Sequence, residues 1–394
     1  MIRSTPRINT LLLSAGHMLN DFYCNFLPIL LPIIMPRLGL TITLSGLLVM
    51  VMSITSNILQ PVFGYFMDKH DWHKVLVPVL PFGAACICFI GFLDSKLVLF
   101  LLIALTGLSV SLFHPLGSTL VQKSVPSEKL AGSMSYYIAG GNFGFAFAPI
   151  ILVAFTEAHP LTSLPWLMIP SLLLAWIFSC SQLSCISTLP KETATTKPPK
   201  LTALLTNRSI IQLNLAMGFR CWTHTSVSTF LPLLLISTGY SSIHSGFLLT
   251  LFLIGCTVGG LVGGWIGGKY LSHKMVIIAS LLIGAIPTYY FFTHAGTAPL
   301  SLLALFLSGF FLLSPQPSSI VWAHTLMPAN AGMASGMMLG LSFGLGSIGT
   351  AVTASAADYI GLPTALLLTT LPMLLAAFIA AFPPQKSRRL RHAR

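Results

Sequence analysis

The sequence predicts an all-α integral membrane protein, with twelve transmembrane helices arranged as two pseudo-symmetric six-helix bundles. Three observations carry that expectation. Of its 394 residues, 55% are hydrophobic and only 7% charged, against about 25% charged in a soluble domain. Apolar runs of bilayer length, roughly 20 residues, recur twelve times between short polar or Gly/Pro breaks. The chain is also written twice, with glycines, prolines and charges returning at an offset of 200 residues.

The runs fall near 10–36, 44–67, 75–93, 97–123, 130–156, 164–186, 207–236, 243–268, 273–293, 299–326, 331–355 and 363–383. A β-barrel would instead show alternating segments of about 10 residues. Ser45, Gly46 and Leu48 return as Ser245, Gly246 and Leu248, and Gly64, Lys69, His73 and Lys74 as Gly264, Lys269, His273 and Lys274. Gly132, Gly140, Phe143 and Gly144 return as Gly332, Gly340, Phe343 and Gly344, and Pro115 as Pro315. An even number of helices per copy gives both copies the same orientation, a parallel repeat. The expected units are therefore 1–186 and 207–394, joined by a Pro-, Thr- and Lys-rich linker at 187–206.

The net charge of +12 is a matter of topology, and nucleic acid is not an expected partner. With an even helix count, one side of the membrane receives both tails and every second loop. That side holds seventeen of the twenty Lys and Arg residues; Arg37 and Lys96 lie on the other, and Arg220 lies within a helix. The positive-inside rule then places both termini and the linker in the cytoplasm, with the basic C-terminal tail beside anionic lipid. The seven cysteines show no metal-ligand spacing, and those in apolar runs behave as small hydrophobes. The first run is too long for a cleavable signal peptide.

Within that first run, LLLSAGHMLNDFYCNFLPILLPIIM, Asp21 sits near the middle. A carboxylate at such depth is costly, so it is a functional candidate by default. Helical spacing puts Ser14, His17, Asp21, Asn25 and Pro28 on one face, with Asn20 adjacent, which points to a helix lining a cavity. The other seven acids fall in loops or near helix ends. Asp21 is thus the expected proton-coupling carboxylate, with His17 and His114 next. His114 precedes Pro115, which frees a backbone carbonyl, and imidazole titrates near neutral pH. A permanently hydrogen-bonded Asp that braces helix packing is the alternative.

Two parallel six-helix halves describe the major facilitator architecture, and the residues support a closer match. GHMLND (Gly16–Asp21), LQPVFGYFMDKH (Leu59–His70), SLFHP (Ser111–Pro115) and GGNFG (Gly140–Gly144) resemble the fosmidomycin resistance protein family, most densely over 14–150. The resemblance implies a bacterial inner-membrane exporter that exchanges drug for protons.

Arg220 is the second deep charge. At the 200-residue offset it aligns with Asn20, so it is expected at nearly the depth of Asp21 and interacting with it across the cavity, directly or through water, in at least one state of the cycle. Its helix adds His224 one turn on, and Gln316 beside Pro315 and Asn142 complete the expected substrate cavity. The loop after the second run resembles a facilitator loop motif through Gly64, Asp68 and Lys69. It departs where Asp71, Trp72 and His73 follow. Gly64 would allow close helix approach, and Asp68 would cap a helix or pair a cation to latch one conformation. Helix 5 carries Gly140, Gly141, Gly144 and Pro149, loosely similar to the glycine–proline signature of facilitator antiporters. Small residues allow close approach and the proline would bend the helix, although generic packing accounts for them as well.

The expected function is therefore proton-coupled export of a small drug or toxic metabolite by a monomer in the bilayer. Its expected cofactor is none beyond the proton gradient, and no catalytic or metal site is expected. Proton-linked uptake of a polar or anionic metabolite is the nearer alternative. A membrane-embedded enzyme is remote, since there is no H-E-x-x-H, no pair of acids at one depth and no nucleotide-binding loop.

Overall fold

The computed structural model describes residues 5–67, 69–189, 207–327, 334 and 336–383. Within these, the side chains at 61, 65, 127–132 and 135 are not described. Among the described residues, eleven helices are long and apolar enough to cross a membrane. They are α1 (Pro6–Leu38), α2 (Ile42–Gly64), α3 (His73–Phe92), α4 (Lys96–Ser124), α5 (Ser127–Ala158) and α6 (Leu161–Cys180), followed in the second half by α8 (Ser242–Ile266), α9 (His273–Thr293), α10 (Pro299–Leu326), α11 (Met337–Ile360) and α12 (Leu362–Ala380). The twelfth, α7 (Arg208–Ser237), has ample length at 30 residues. Asn214, Arg220, His224 and a run of Ser and Thr lower its hydropathy, and nearly all of these are buried. A polar helix of that length is held by protein on most sides.

Side-chain caps set the helix starts. Thr5, Thr41, Ser95, Asn207, Ser241 and Ser272 each accept a hydrogen bond from a first-turn N–H of the following helix, satisfying donors that lipid could not. Gly39 ends α1 in the left-handed region, at φ 58°, where a side chain is strained. Inside α1 the helix breaks at Asn25, just ahead of Pro28.

The two halves repeat one packing scheme. α1 lies against α4 and α5, and α7 against α10 and α11. Between halves, α2 packs on α11, α5 on α8, and the second part of α1 on α7. The first two of these are symmetry mates under the 200-residue repeat. Glycines set the closeness of those seams. A Cβ at Gly46 of α2 would overlap Ala354 of α11, and one at Gly246 of α8 would lie 2.8 Å from Val153 of α5. Further along the first seam, π-helical turns in α2 (Ile54–Ile58) and α11 (Met337–Leu341) face each other. Such turns recur at functional positions of helices.

The buried apolar residues reveal which end is closed. The side where α1 begins and α12 ends is the terminal side. On the opposite, far side, one continuous core joins both halves, from Leu30 and Leu48 to Phe230, Leu249 and Ala354. Toward the terminal side the core divides, with Leu13, Val79 and Phe113 in one cluster and Met217, Leu281 and Trp322 in another. The halves are sealed together at the far side and part toward the terminal side.

Candidate transport site

The polar stripe of α1 does not line an open cavity; it faces α5. Gly140 lies against the Ser14 carbonyl, Gly144 against the Met18 carbonyl, and Asn25 donates to the Phe145 carbonyl at 2.8 Å. The physical reason is the glycine-rich face of α5, which lets the two backbones meet and offers its carbonyls to the stripe. Between those contacts sits the charge. His17 Nε2 lies 3.3 Å from Asp21 Oδ2, and His114 Nε2 of α4 lies 3.5 Å from Asp21 Oδ1. Asn20 Nδ2 donates to Asp21 Oδ1 at 3.0 Å. The His17 ring stacks on Tyr137 at 4.2 Å between centroids and meets His114 edge-on at 4.9 Å. All three residues expected to carry protons thus converge on one point.

The other ring nitrogen of His17 fixes its protonation pattern. Nδ1 lies 2.7 Å from the backbone carbonyl of Tyr137. A carbonyl only accepts, so Nδ1–H donates. The contact between Nε2 and Asp21 then needs one proton, carried either by the imidazole or by the carboxyl, because a bare lone pair facing a carboxylate would repel. Gly141 makes room for this contact: a Cβ there would lie 2.6 Å from both Asp21 Oδ2 and His17 Nε2. The side chains of Asp21 and His114 are 17% and 25% exposed, so the cluster keeps a path to solvent.

In the conformation of this structure Arg220 does not pair with Asp21. It is fully buried in its own half, where Nη1 donates to the Leu312 carbonyl at 3.0 Å and Nη2 to Gln316 Oε1 at 2.5 Å. Nη2 also contacts Cys221 Sγ, and the guanidinium sits 5.4 Å from the Phe343 ring centroid. Its position explains the outcome. Arg220 is the repeat mate of Asn20, one residue from that of Asp21, and one residue turns a side chain about 100° around a helix. Gln316 completes its own bonding by donating to the Met338 carbonyl at 3.1 Å. His224, one turn on from Arg220, is buried beside Phe252 and Phe343 with Nδ1 unbonded, as is Arg220 Nε. The residues expected to share one cavity are therefore divided. Asn20 belongs to the Asp21 cluster, Asn25 to the α1–α5 contact, and Arg220, His224 and Gln316 to the second half. Asn142 is exposed on α5, on the face that meets α8 further along at Pro149 and Val153.

Of the expected latch, Asp68 lies outside the described residues. Gly64 gives no close helix approach, since a Cβ there would meet nothing within 4 Å. Lys69 lies in the turn beyond α2, its N–H bonded to the Phe66 carbonyl at 3.1 Å. The work in this loop falls to Asp71, where the sequence departs from the motif. Its Oδ1 accepts from Thr188 N at 2.9 Å and Thr188 Oγ1 at 3.2 Å, with His73 Nδ1 at 2.9 Å. Burial raises its carboxyl pKa, but these hydrogen bonds outweigh it and hold the group below the usual carboxylate range.

Sequence reasoning also passed over Asp358 and Tyr137. Asp358 ends α11, where an acid disfavours its own helix dipole, and that mismatch was the available signal. Tyr137 acts on His17 through a backbone carbonyl, which residue type does not encode.

Comparison with known proteins places this architecture. The model of the Major Facilitator Superfamily matches residues 13–350 and 213–393. The chain belongs to that superfamily. Among its relatives, the fosmidomycin resistance protein of Escherichia coli (strain K12) is 26% identical over 353 residues, covering 88% of this chain and 86% of that protein. An uncharacterised MFS-type transporter, YfnC of Bacillus subtilis (strain 168), is 27% identical over 366 residues, 91% of this chain and 88% of that one. Among solved structures, a bacterial homologue of the human lysosomal transporter Spinster, in an inward-facing and occupied conformation, superimposes with a TM-score of 0.77 at 12% identity, covering 96% and 97% of the two chains. This facilitator is thus an integral membrane transporter of small molecules, and not an enzyme.

Proposed function

We propose that this chain is a proton-coupled exporter of a small drug or toxic metabolite in a bacterial inner membrane, working as a monomer by alternating access. Its halves, 1–186 and 207–394, rock about the midplane, with the linker 187–206 and both termini in the cytoplasm. It needs no cofactor beyond the proton gradient. The observation that carries the reading is the convergence of His17 and His114 on Asp21, a carboxylate within a membrane-spanning helix. With His17 Nδ1–H committed to Tyr137, one proton is shared between His17 and Asp21, and the free imidazole of His114 offers the place for a second. Because these residues tie α1 to α4 and α5, a change of proton occupancy changes how those helices hold together. α5 in turn packs on α8 of the other half, so the cluster reaches the seam that alternating access must open.

The export direction is supported by the fosmidomycin resistance relative and by the helix-5 glycines and Pro149. The Asp21 cluster itself is indifferent to direction, which keeps proton-linked uptake as the second reading. Everted vesicles from a pump-deficient strain separate the two. With the interior acidified, an exporter accumulates substrate inside the vesicle. A growth panel of toxic compounds with the protein overexpressed, fosmidomycin among them, selects the substrate. Asp21→Asn keeps size and hydrogen bonding but cannot exchange a proton, so it should equilibrate substrate without concentrating it. Concentration at the wild-type rate by Asp21→Asn would refute the role of Asp21.

A further inference from the structure

We propose that the His17–Asp21–His114 cluster is also a binding site for a divalent transition-metal cation of the Zn2+ type. Two imidazole nitrogens and one carboxylate oxygen, one from each side chain, lie within 4.8 Å of one another. One separation, 3.3 Å from His17 Nε2 to Asp21 Oδ2, matches the edge of a tetrahedron with metal–ligand bonds of about 2.0–2.1 Å, which is roughly 3.3 Å, and His114 Nε2 lies 3.5 Å from the other carboxylate oxygen, Oδ1. Small rotations of the Asp21 carboxylate and the His114 ring close the other two edges. Nitrogen donors select zinc-like cations over Mg2+ and Ca2+, which prefer all-oxygen sites.

The surroundings are those of a metal site. His17 donates Nδ1–H to the Tyr137 carbonyl at 2.7 Å, which directs the Nε2 lone pair at the centre once its proton leaves. Asn20 holds the Asp21 carboxylate. Outer partners of this kind orient ligands and raise their basicity. Among the described residues no Lys or Arg is paired with Asp21, and Arg220 is engaged in the other half, so no fixed cation competes. The partial exposure of His114 and Asp21 leaves an entry path. Cation and proton exclude one another at Asp21, and a bound cation braces α1 against α4.

The inference concerns binding alone and does not depend on transport direction or proton coupling. Its test is calorimetric titration of the full chain in lipid nanodiscs with ZnCl2, and with MgCl2 as the control. The expected result is one Zn2+ site per chain and no comparable Mg2+ site. His17→Ala and His114→Ala should each weaken Zn2+ by at least the roughly tenfold that loss of even an outer partner costs. His73→Ala, which alters the separate pair with Asp71, should leave the site unchanged. His114→Cys keeps a third donor and stays informative if an alanine variant fails to fold. It should bind Cd2+ with a thiolate-to-metal absorption band. No Zn2+ site in the wild type, equal affinity in the alanine variants, or no such band in folded His114→Cys would overturn the proposal. Transport measured in chelated, metal-free buffer tests the proton reading separately.

Discussion

The carboxylate of Asp358, in the last turn of α11, caps α2 of the opposite half at Thr43. It accepts from Thr43 N at 3.0 Å, Thr43 Oγ1 at 2.5 Å and Ile42 N at 3.2 Å. Thr41 takes Leu44 N, so the exposed donors of α2 are shared between its own cap and a residue more than 300 positions away. The bond joins the halves at the far side, above the Gly46–Ala354 contact, and must break for that side to open. Asp358→Ala removes a cap and a favourable dipole contact, together about 1–2 kcal/mol, a roughly 5–30-fold population shift. Spin labels at the exposed Leu97 and Tyr359, in a cysteine-free background, should report a larger far-side separation in the variant. An unchanged distance distribution would show that the cap does not hold the gate.

Asp71 predicts a pH dependence on the terminal side. Its folded pKa is depressed, so the ionised form is favoured by folding. The contribution is fully present above the unfolded value, near 3.9, and is lost as pH falls through the lower folded value. Thermal midpoints of wild type and Asp71→Asn should therefore differ by a constant amount from about pH 5 to 8, and converge only in strong acid. Convergence already at pH 6 would mean that the bonds from Thr188 do not hold Asp71 ionised.

What could be read in advance follows from which interactions are local. Hydropathy located the helices, and even α7 was recognised because its length survives its polar residues. Depth was legible too, since Asp21, His17 and His114 stood out as polar groups in apolar runs. Azimuth was not. Whether the α1 stripe faces water or α5 depends on glycines 120 residues later. The repeat assigns Arg220 and Asp21 nearly the same depth, but the single-residue offset between Arg220 and the repeat mate of Asp21 turns it toward α10 instead. Asp358 and Tyr137 escaped for the same reason. Their partners lie far away in sequence, and one of them acts through its backbone.

The separation of Arg220 from Asp21 reverses an energetic expectation. Arg220→Ala strips partners from the Leu312 carbonyl and Gln316 Oε1, each left unsatisfied at about 1–3 kcal/mol, and it opens a buried void. It should be among the most destabilising single changes. Asp21→Asn should cost little, because its neighbours are histidines that can shed a proton and not a fixed cation. In a double-mutant cycle read by thermal stability, Arg220 and Gln316 should couple by about 0.5–3 kcal/mol, while Arg220 and Asp21 add within about 0.5 kcal/mol. Strong coupling of Arg220 to Asp21 would point to a second state in which the two meet.

Two glycines give the sharpest contrast. At Gly64 a methyl group meets nothing, so Gly64→Ala should be neutral or stabilise α2 by about 0.5–1 kcal/mol through reduced backbone freedom. At Gly141 the same methyl would lie 2.6 Å from Asp21 Oδ2 and from two atoms of the His17 ring, well inside van der Waals contact. Helix α5 cannot retreat freely, because Gly140 and Gly144 hold its backbone against α1 on either side. The strain therefore falls on the cluster: His17 must swing and its bond to the Tyr137 carbonyl must lengthen. Overpacking of this kind costs about 1–3 kcal/mol, and it strikes the proton site before it strikes the fold. Gly141→Ala should accordingly lower proton-driven transport more steeply than thermal stability and shift its pH profile. Gly64→Ala should leave both as in the wild type. If Gly141→Ala lost stability but kept the wild-type pH profile, the contact would be packing alone and the proton would have to be carried elsewhere.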